Sequence, residues 1–178
     1  WKTRRSKRFI QKILIWKRFQ NKFPRIVEKG IKQAGFQLLE FIKTKTKKGE
    51  RFDTGRFASY SASYLKQLQR EGKPTKVDLF YTGRMLGSLT PSSTVKKTGK
   101  NKISLGFSNS EMAQRALFVQ VLNKPERPFF GFNARTEQAI KKAFNRFVKK
   151  ETERALWVKE KISHLIYLQL YQPYQVLI

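Results

Sequence analysis

The sequence predicts an α+β fold, a small antiparallel β-sheet packed by helices, on three observations. Apolar residues recur at helical spacing in long stretches towards both ends of the chain, whereas Gly, Pro and Ser cut the middle into short elements. Between residues 92 and 108 the spacing changes to period two around Thr98-Gly99-Lys100-Asn101, which is a hairpin signal. Finally, 178 residues with 39% hydrophobic content and 15 Phe suffice for a core without staples.

Residues 1–23 hold Arg4, Arg5, Lys7, Arg8, Lys12, Lys17, Arg18 and Lys22 without an acidic residue, and Phe9, Ile10, Ile13, Leu14 and Phe19 form a helical stripe among them. This reads as a basic amphipathic arm. Its stripe packs on its own domain or a neighbouring subunit, or it binds a membrane surface or RNA. Pro24 suits the first position of a second helix, where it loses no intrahelical bond, and Val27, Ile31, Ala34, Leu38 and Phe41 or Ile42 continue a stripe to about Thr44. Lys43, Lys45, Lys47 and Lys48 before Gly49 then read as an exposed loop.

Tyr60, Tyr64 and Leu68 predict a short helix ended by Gly72, and Thr82 is placed to cap a turn through Met85 and Leu86. The hairpin takes residues 92–97 and 102–108, with Val95, Ile103, Leu105 and Phe107 as its apolar positions. Ser110 is expected to cap a helix of about 111–122 in which Ala113, Ala116, Leu117, Val119 and Val121 point to at least one buried side. Phe129-Phe130-Gly131-Phe132 reads as a short buried strand leading to an Asn133 cap.

From Ala134 to about Leu170 one long helix is expected, carrying Phe144, Val148, Ala155, Val158, Ile162 and Leu165, and long enough to project or to pack on another chain. After Lys161 no charged residue follows. The tail with Leu165, Ile166, Tyr167, Leu170, Tyr171 and Tyr174 therefore reads as docked, on its own core or on a neighbour, since exposed it is an aggregation hazard. The organisation expected is an arm at 1–23, a domain at 24–150 and a helical extension with the tail at 151–178.

Lys and Arg total 39 against 12 Asp and Glu, a formal charge of +27. Such a charge speaks of partners: nucleic acid, an acidic protein surface or an anionic membrane. Lys45, Lys47, Lys48, Lys96, Lys97, Lys100 and Lys102, with Arg4, Arg5 and Arg8, are the residues offered to DNA or an acidic partner. No apolar run is long enough to span a membrane, and the chain reads as soluble. There is no cysteine and a single histidine, His164, so thiolate chemistry and multi-histidine metal sites are excluded. Gly99-Lys100 lacks the rest of a phosphate-binding loop, there is no Gly-x-Ser-x-Gly elbow and no acidic cluster for Mg²⁺. Asp53 and Asp78 sit at turns, where they hold backbone amides or a neighbouring arginine. No catalytic residue, metal site, cofactor or small-molecule substrate is expected.

Two stretches carry a resemblance. The first runs Asp53-Thr54-Gly55-Arg56-Phe57 with Tyr60-Ser61 and Tyr64, then Val77-Asp78-Leu79-Phe80-Tyr81-Thr82-Gly83-Arg84-Met85-Leu86-Gly87-Ser88-Leu89; the second is Ala113 to Phe118 followed by Glu126-Arg127-Pro128-Phe129-Phe130-Gly131-Phe132. In this order, over about residues 24–150, the chain resembles the virion morphogenesis and tail-completion proteins of tailed bacteriophages. Thr82, Gly83, Arg84 and Leu86 match that family's turn motif, and Arg127, Pro128, Phe129 and Gly131 its strand motif. The resemblance implies a non-enzymatic neck protein of the virion, assembled in the host cytoplasm as a ring around the DNA channel, with portal, adaptor or tail proteins as neighbours. The basic arm and the extension beyond about residue 150 exceed the usual family length. From composition alone, an RNA-binding or ribosome-associated protein is the alternative, with a pI near 10.7 and 13% aromatic residues that can stack on bases.

Overall fold

The computed structural model describes residues 2–53, 55–79 and 82–156. Along the chain come α1 (Lys2–Lys48), α2 (Ala62–Arg70), α3 (Arg84–Gly87), α4 (Pro91–Thr94), the strands β1 (Val95–Gly99) and β2 (Lys102–Leu105), α5 (Ser110–Leu117) continued by a π-helical turn at Phe118–Leu122, and α6 (Ala134–Leu156). Mixed helix with one small antiparallel two-stranded sheet is what the sequence predicts. The chain divides into two compact units: residues 35–140, and the stretch of α1 up to Ala34 together with α6 from Lys141. The expected boundaries at 23/24 and 150/151 fall inside α1 and α6.

Pro24 does not begin a helix. It lies inside α1, which runs unbroken from the arm into the domain. An interior proline costs about 3 kcal/mol by removing a backbone bond and crowding the preceding turn. Burial of Phe19, Phe23, Ile26, Val27 and Ile31 on both sides of it offsets that cost, at roughly 1.5–3 kcal/mol per side chain. Trp16, Phe19 and Phe23 stack in sequence along this stripe, with ring centroids 5.7 and 5.3 Å apart. Across from it lie Phe144 and Val148 of α6, both buried. Gly30 admits them: a Cβ there would come within 2.9 Å of the Phe144 ring and 3.2 Å of Phe147.

In the unit of residues 35–140, the C-terminal part of α1 buries Leu38, Leu39 and Ile42 and carries the hairpin. The register pairs Val95 with Leu105 and Lys97 with Ile103, with an irregularity between Lys97 and Gly99. Val95 and Ile103 rest on Gly35, where an added Cβ would lie 2.9 and 2.4 Å from them. The expected loop over 43–49 is helix through Lys48 instead. Thr46 supplies the reason: it is fully buried one turn beyond Ile42, and its hydroxyl donates to the Ile42 carbonyl at 2.8 Å, so the core-facing stripe extends a further turn. The lysines around it complement the helix C-terminus.

Capping also departs from expectation in places. Asn109, not Ser110, caps α5, its Oδ1 accepting from the Met112 amide at 3.1 Å. Gly83, with φ of 68°, precedes α3 in place of a Thr82 cap. The expected hairpin start at 92 is a helical turn, α4, capped by Thr90. Asn133 caps α6 as predicted, accepting from the Thr136 amide at 2.9 Å.

A candidate docking site at the Arg127 junction

The end of the second motif stretch, Arg127 to Phe132, forms no strand, and the chain bends at Phe130. Its backbone groups are satisfied sideways. On one flank the Arg127 amide donates to the Val119 carbonyl at 3.1 Å, and the Gln120 amide side chain brackets Phe130, accepting from its N–H at 2.9 Å and donating to its carbonyl at 3.3 Å. A side chain thus replaces the ladder that a strand partner would give. Phe129 is buried and clusters with Phe107 and Phe130 at centroid distances of 5.4 to 6.5 Å.

The other flank meets the first motif stretch. The Phe52 amide donates to the Pro128 carbonyl at 3.1 Å, and Asn133 Nδ2 donates to the Asp53 carbonyl at 2.6 Å. The Phe52 ring lies so close over Gly131 that a Cβ there would come within 2.9 Å of it. Arg127 closes the junction. Only 5% exposed, it donates from Nε to the Ala58 carbonyl at 3.3 Å, from Nη2 to Ser59 at 3.2 Å and from Nη1 to Pro125 at 3.4 Å, and lies over the Tyr60 ring. Three fixed donors in one plane are what arginine supplies and lysine does not. Burial, joined by the Tyr64 hydroxyl, pushes the Tyr60 phenol above its ordinary value, and the Arg127 charge opposes the shift.

Beside this junction opens a groove of about 940 Å³ lined by Tyr60, Tyr64, Met85, Leu117, Phe118 and Leu122 among others. Part of the expected buried side of α5 is therefore on the outside. Met112 and Ala116 are the buried positions, while Leu117, Phe118, Val121 and Leu122 are 48 to 62% exposed. Leu117, the last residue of α5, is exposed ahead of the π-helical turn; within the turn one extra residue per turn breaks the 3.6-residue period on which a buried Val121 rests. The groove's rim carries Arg115, paired with Glu111 at 2.9 Å, and Lys124, paired with Glu126, whose carboxyl pKa the lysine lowers. Tyrosine, thioether and aliphatic groups in an open groove suit an apolar or aromatic segment of another protein. Protein-family models, curated proteins and solved structures offer no match to this chain.

The remaining motif positions shape the same unit. Gly83 and Thr82 line the groove, Leu86 is 1% exposed, and Arg84 is exposed on α3. Asp53 holds a neighbouring arginine, as expected: Arg51 donates to its two oxygens at 2.9 and 2.8 Å, a pairing that raises the Arg51 pKa. Gly55, with φ of 85°, turns the chain so that its carbonyl accepts from the Arg51 amide at 3.1 Å. Asp78 is half-buried on the approach to α3.

The cationic positions separate into groups. Lys96, Lys97, Lys100 and Lys102 are all exposed on the hairpin, and Lys47 and Lys48 on the last turn of α1. Lys45 differs. Its ammonium donates to the Arg51 carbonyl at 3.5 Å, lies 3.9 Å from Glu50 and sits over the Phe41 ring, so it holds the end of α1 in place. Arg4, Arg5 and Arg8 belong to α1, with side chains outside the described part. His164 and the tail positions Leu165, Ile166, Tyr167, Leu170, Tyr171 and Tyr174 lie outside the described residues. Among the described residues no helix is long and apolar enough to cross a membrane.

Proposed function

We propose that this chain is a structural, non-enzymatic subunit of a phage-type neck, joining head to tail as one member of an oligomeric ring around the DNA channel. The observation that carries the reading is the Arg127 junction. Arg127 and Pro128 of the second stretch that resembles the tail-completion family bond there to Ala58, Ser59 and Phe52, which flank Asp53–Phe57 of the first, beside a groove lined by the exposed apolar side chains of Leu117, Phe118 and Leu122. A ring subunit needs such a surface for its neighbour, and exposed apolar side chains gathered at one place mark interaction sites. The hairpin lysines face outward from the same unit and suit DNA or an acidic ring.

The test is complementation of a producing strain lacking this chain. Leu122→Glu and Phe118→Asp, both at exposed positions, are expected to leave the protein folded and to yield heads and tails that do not join. Normal joined particles from both variants refute the reading, and recovery of the protein with ribosomes or RNA transfers it to the RNA-binding class.

A further inference from the structure

A cleft of about 290 Å³ opens between α1 and α6, lined by Lys22, Arg25 and Lys29 from the first helix and Glu151 and Arg154 from the second, along with Ile26. We propose that it binds the phosphate backbone of a nucleic acid. Its charge is unbalanced. Glu151, the one carboxylate in the lining, already accepts from Arg154 Nη1 at 2.7 Å. Lys22, Arg25 and Lys29 have no carboxylate partner among the described residues. Arg18 precedes them at steps of four, three and four residues, so the four cations share one face of α1 in a row about 16 Å long. On α6 the exposed Lys150 stands one turn before Arg154.

The unit that holds the cleft is the more basic of the two. Residues 2–34 and 141–156 carry 18 Lys and Arg against 3 Glu, whereas residues 35–140 carry 19 against 8 Asp and Glu in about twice the length. The positive field is therefore concentrated on the α1 and α6 pair, and a cleft with apolar walls focuses it further.

Phosphate is the anion that this surface fits. Lysine is depleted at protein–protein interfaces, whose centres are built on apolar and aromatic anchors, and the Ile26 side chain is buried, so the cleft offers an acidic protein no such anchor. A nucleic-acid backbone needs only cations at fixed places. Burial of Phe19, Phe23 and Ile26 beside the row fixes the helix that bears them. Each cation seated on a phosphate releases condensed counterions and relieves the repulsion within the row. Contacts of this kind hold the backbone and read no base. The inference goes beyond the neck reading and names a surface apart from the hairpin lysines.

The test is a salt titration of the full chain on a short DNA duplex and on an RNA duplex of the same sequence. The parent is compared with the triple variant Lys22→Gln, Arg25→Gln, Lys29→Gln and with a control, Lys66→Gln, Arg70→Gln, Lys76→Gln, which removes the same charge from residues 35–140. All six side chains are exposed, so both variants should keep the parent's unfolding midpoint. The cleft variant should lose about 0.9 of log–log salt slope per cation removed on at least one duplex, and the control should lose none. Lys22→Gln and Lys29→Gln alone should each lose their single share. Equal losses in the two triple variants, or no loss in the cleft variant, overturn the proposal. So does an effect of the cleft variant confined to polyglutamate or to phosphatidylserine vesicles. A loss on RNA with none on DNA keeps the cleft and counts against the neck reading, so the two fail separately.

Discussion

The guanidinium carbon of Arg127 lies 5.1 Å from the centroid of the Tyr60 ring while its Nη2 donates to the Ser59 carbonyl, one residue before that ring. The arginine therefore fixes both the backbone and the aromatic wall of the groove. Arg127→Lys keeps the charge but cannot span three carbonyls, and it should destabilise the protein by about 2–4 kcal/mol in urea unfolding. Tyr60→Leu, which removes the ring alone, should cost less, about 0.5–2 kcal/mol. Equal stability of Arg127→Lys and the parent would show that the clamp is dispensable.

Gly131 and Phe52 form the second tie across the junction. Gly131→Ala pushes a methyl into the Phe52 ring, with an expected loss of about 1–3 kcal/mol, and Phe52→Leu in the same chain should recover part of it. Additive losses in the double variant would show that the two sites do not meet.

Tyr60 makes stability depend on alkaline pH. Its folded pKa is raised above the unfolded value near 10, so the folded state holds the phenol proton more tightly. That contribution is fully present below about pH 10 and is lost as pH rises through the folded pKa. Urea midpoints of the parent should fall relative to Tyr60→Phe above that range, and parallel curves would remove the linkage.

Lys96, Lys100 and Lys102 are exposed on the hairpin, so exchanging them for Gln should leave the unfolding midpoint unchanged. If they meet phosphates, duplex DNA binding should lose about 0.9 of log–log salt slope per lysine removed. An unchanged slope would assign the hairpin to an acidic protein.

The parts of this fold legible in the sequence are those that local pattern decides. The Ile103 and Leu105 alternation gave the hairpin, Asn133 gave the start of α6, and the Tyr60 to Leu68 spacing gave α2. What was hidden depends on packing. The lysines around Thr46 look like a loop until Thr46 is seen to be a core position, and Pro24 looks like a boundary until the stripe on either side of it is found buried. Arg127 was marked only by resemblance, since nothing in its neighbours announces that its partners lie near residue 58. Of the positions expected on the buried side of the helix after Ser110, Ala116 is buried but Leu117 and Val121 are exposed, and for Val121 a π-helical turn breaks the 3.6-residue period on which the expectation rests.

The most direct measurement is gradient fractionation of a producing-cell lysate at moderate and at high salt, following this chain by immunoblot and viewing the particle peak by negative stain. The neck account predicts that the chain stays with tailed particles at both salt levels, and that Leu122→Glu leaves it in fractions of unjoined heads and tails. Migration with ribosomes or RNA, released by salt, would contradict it.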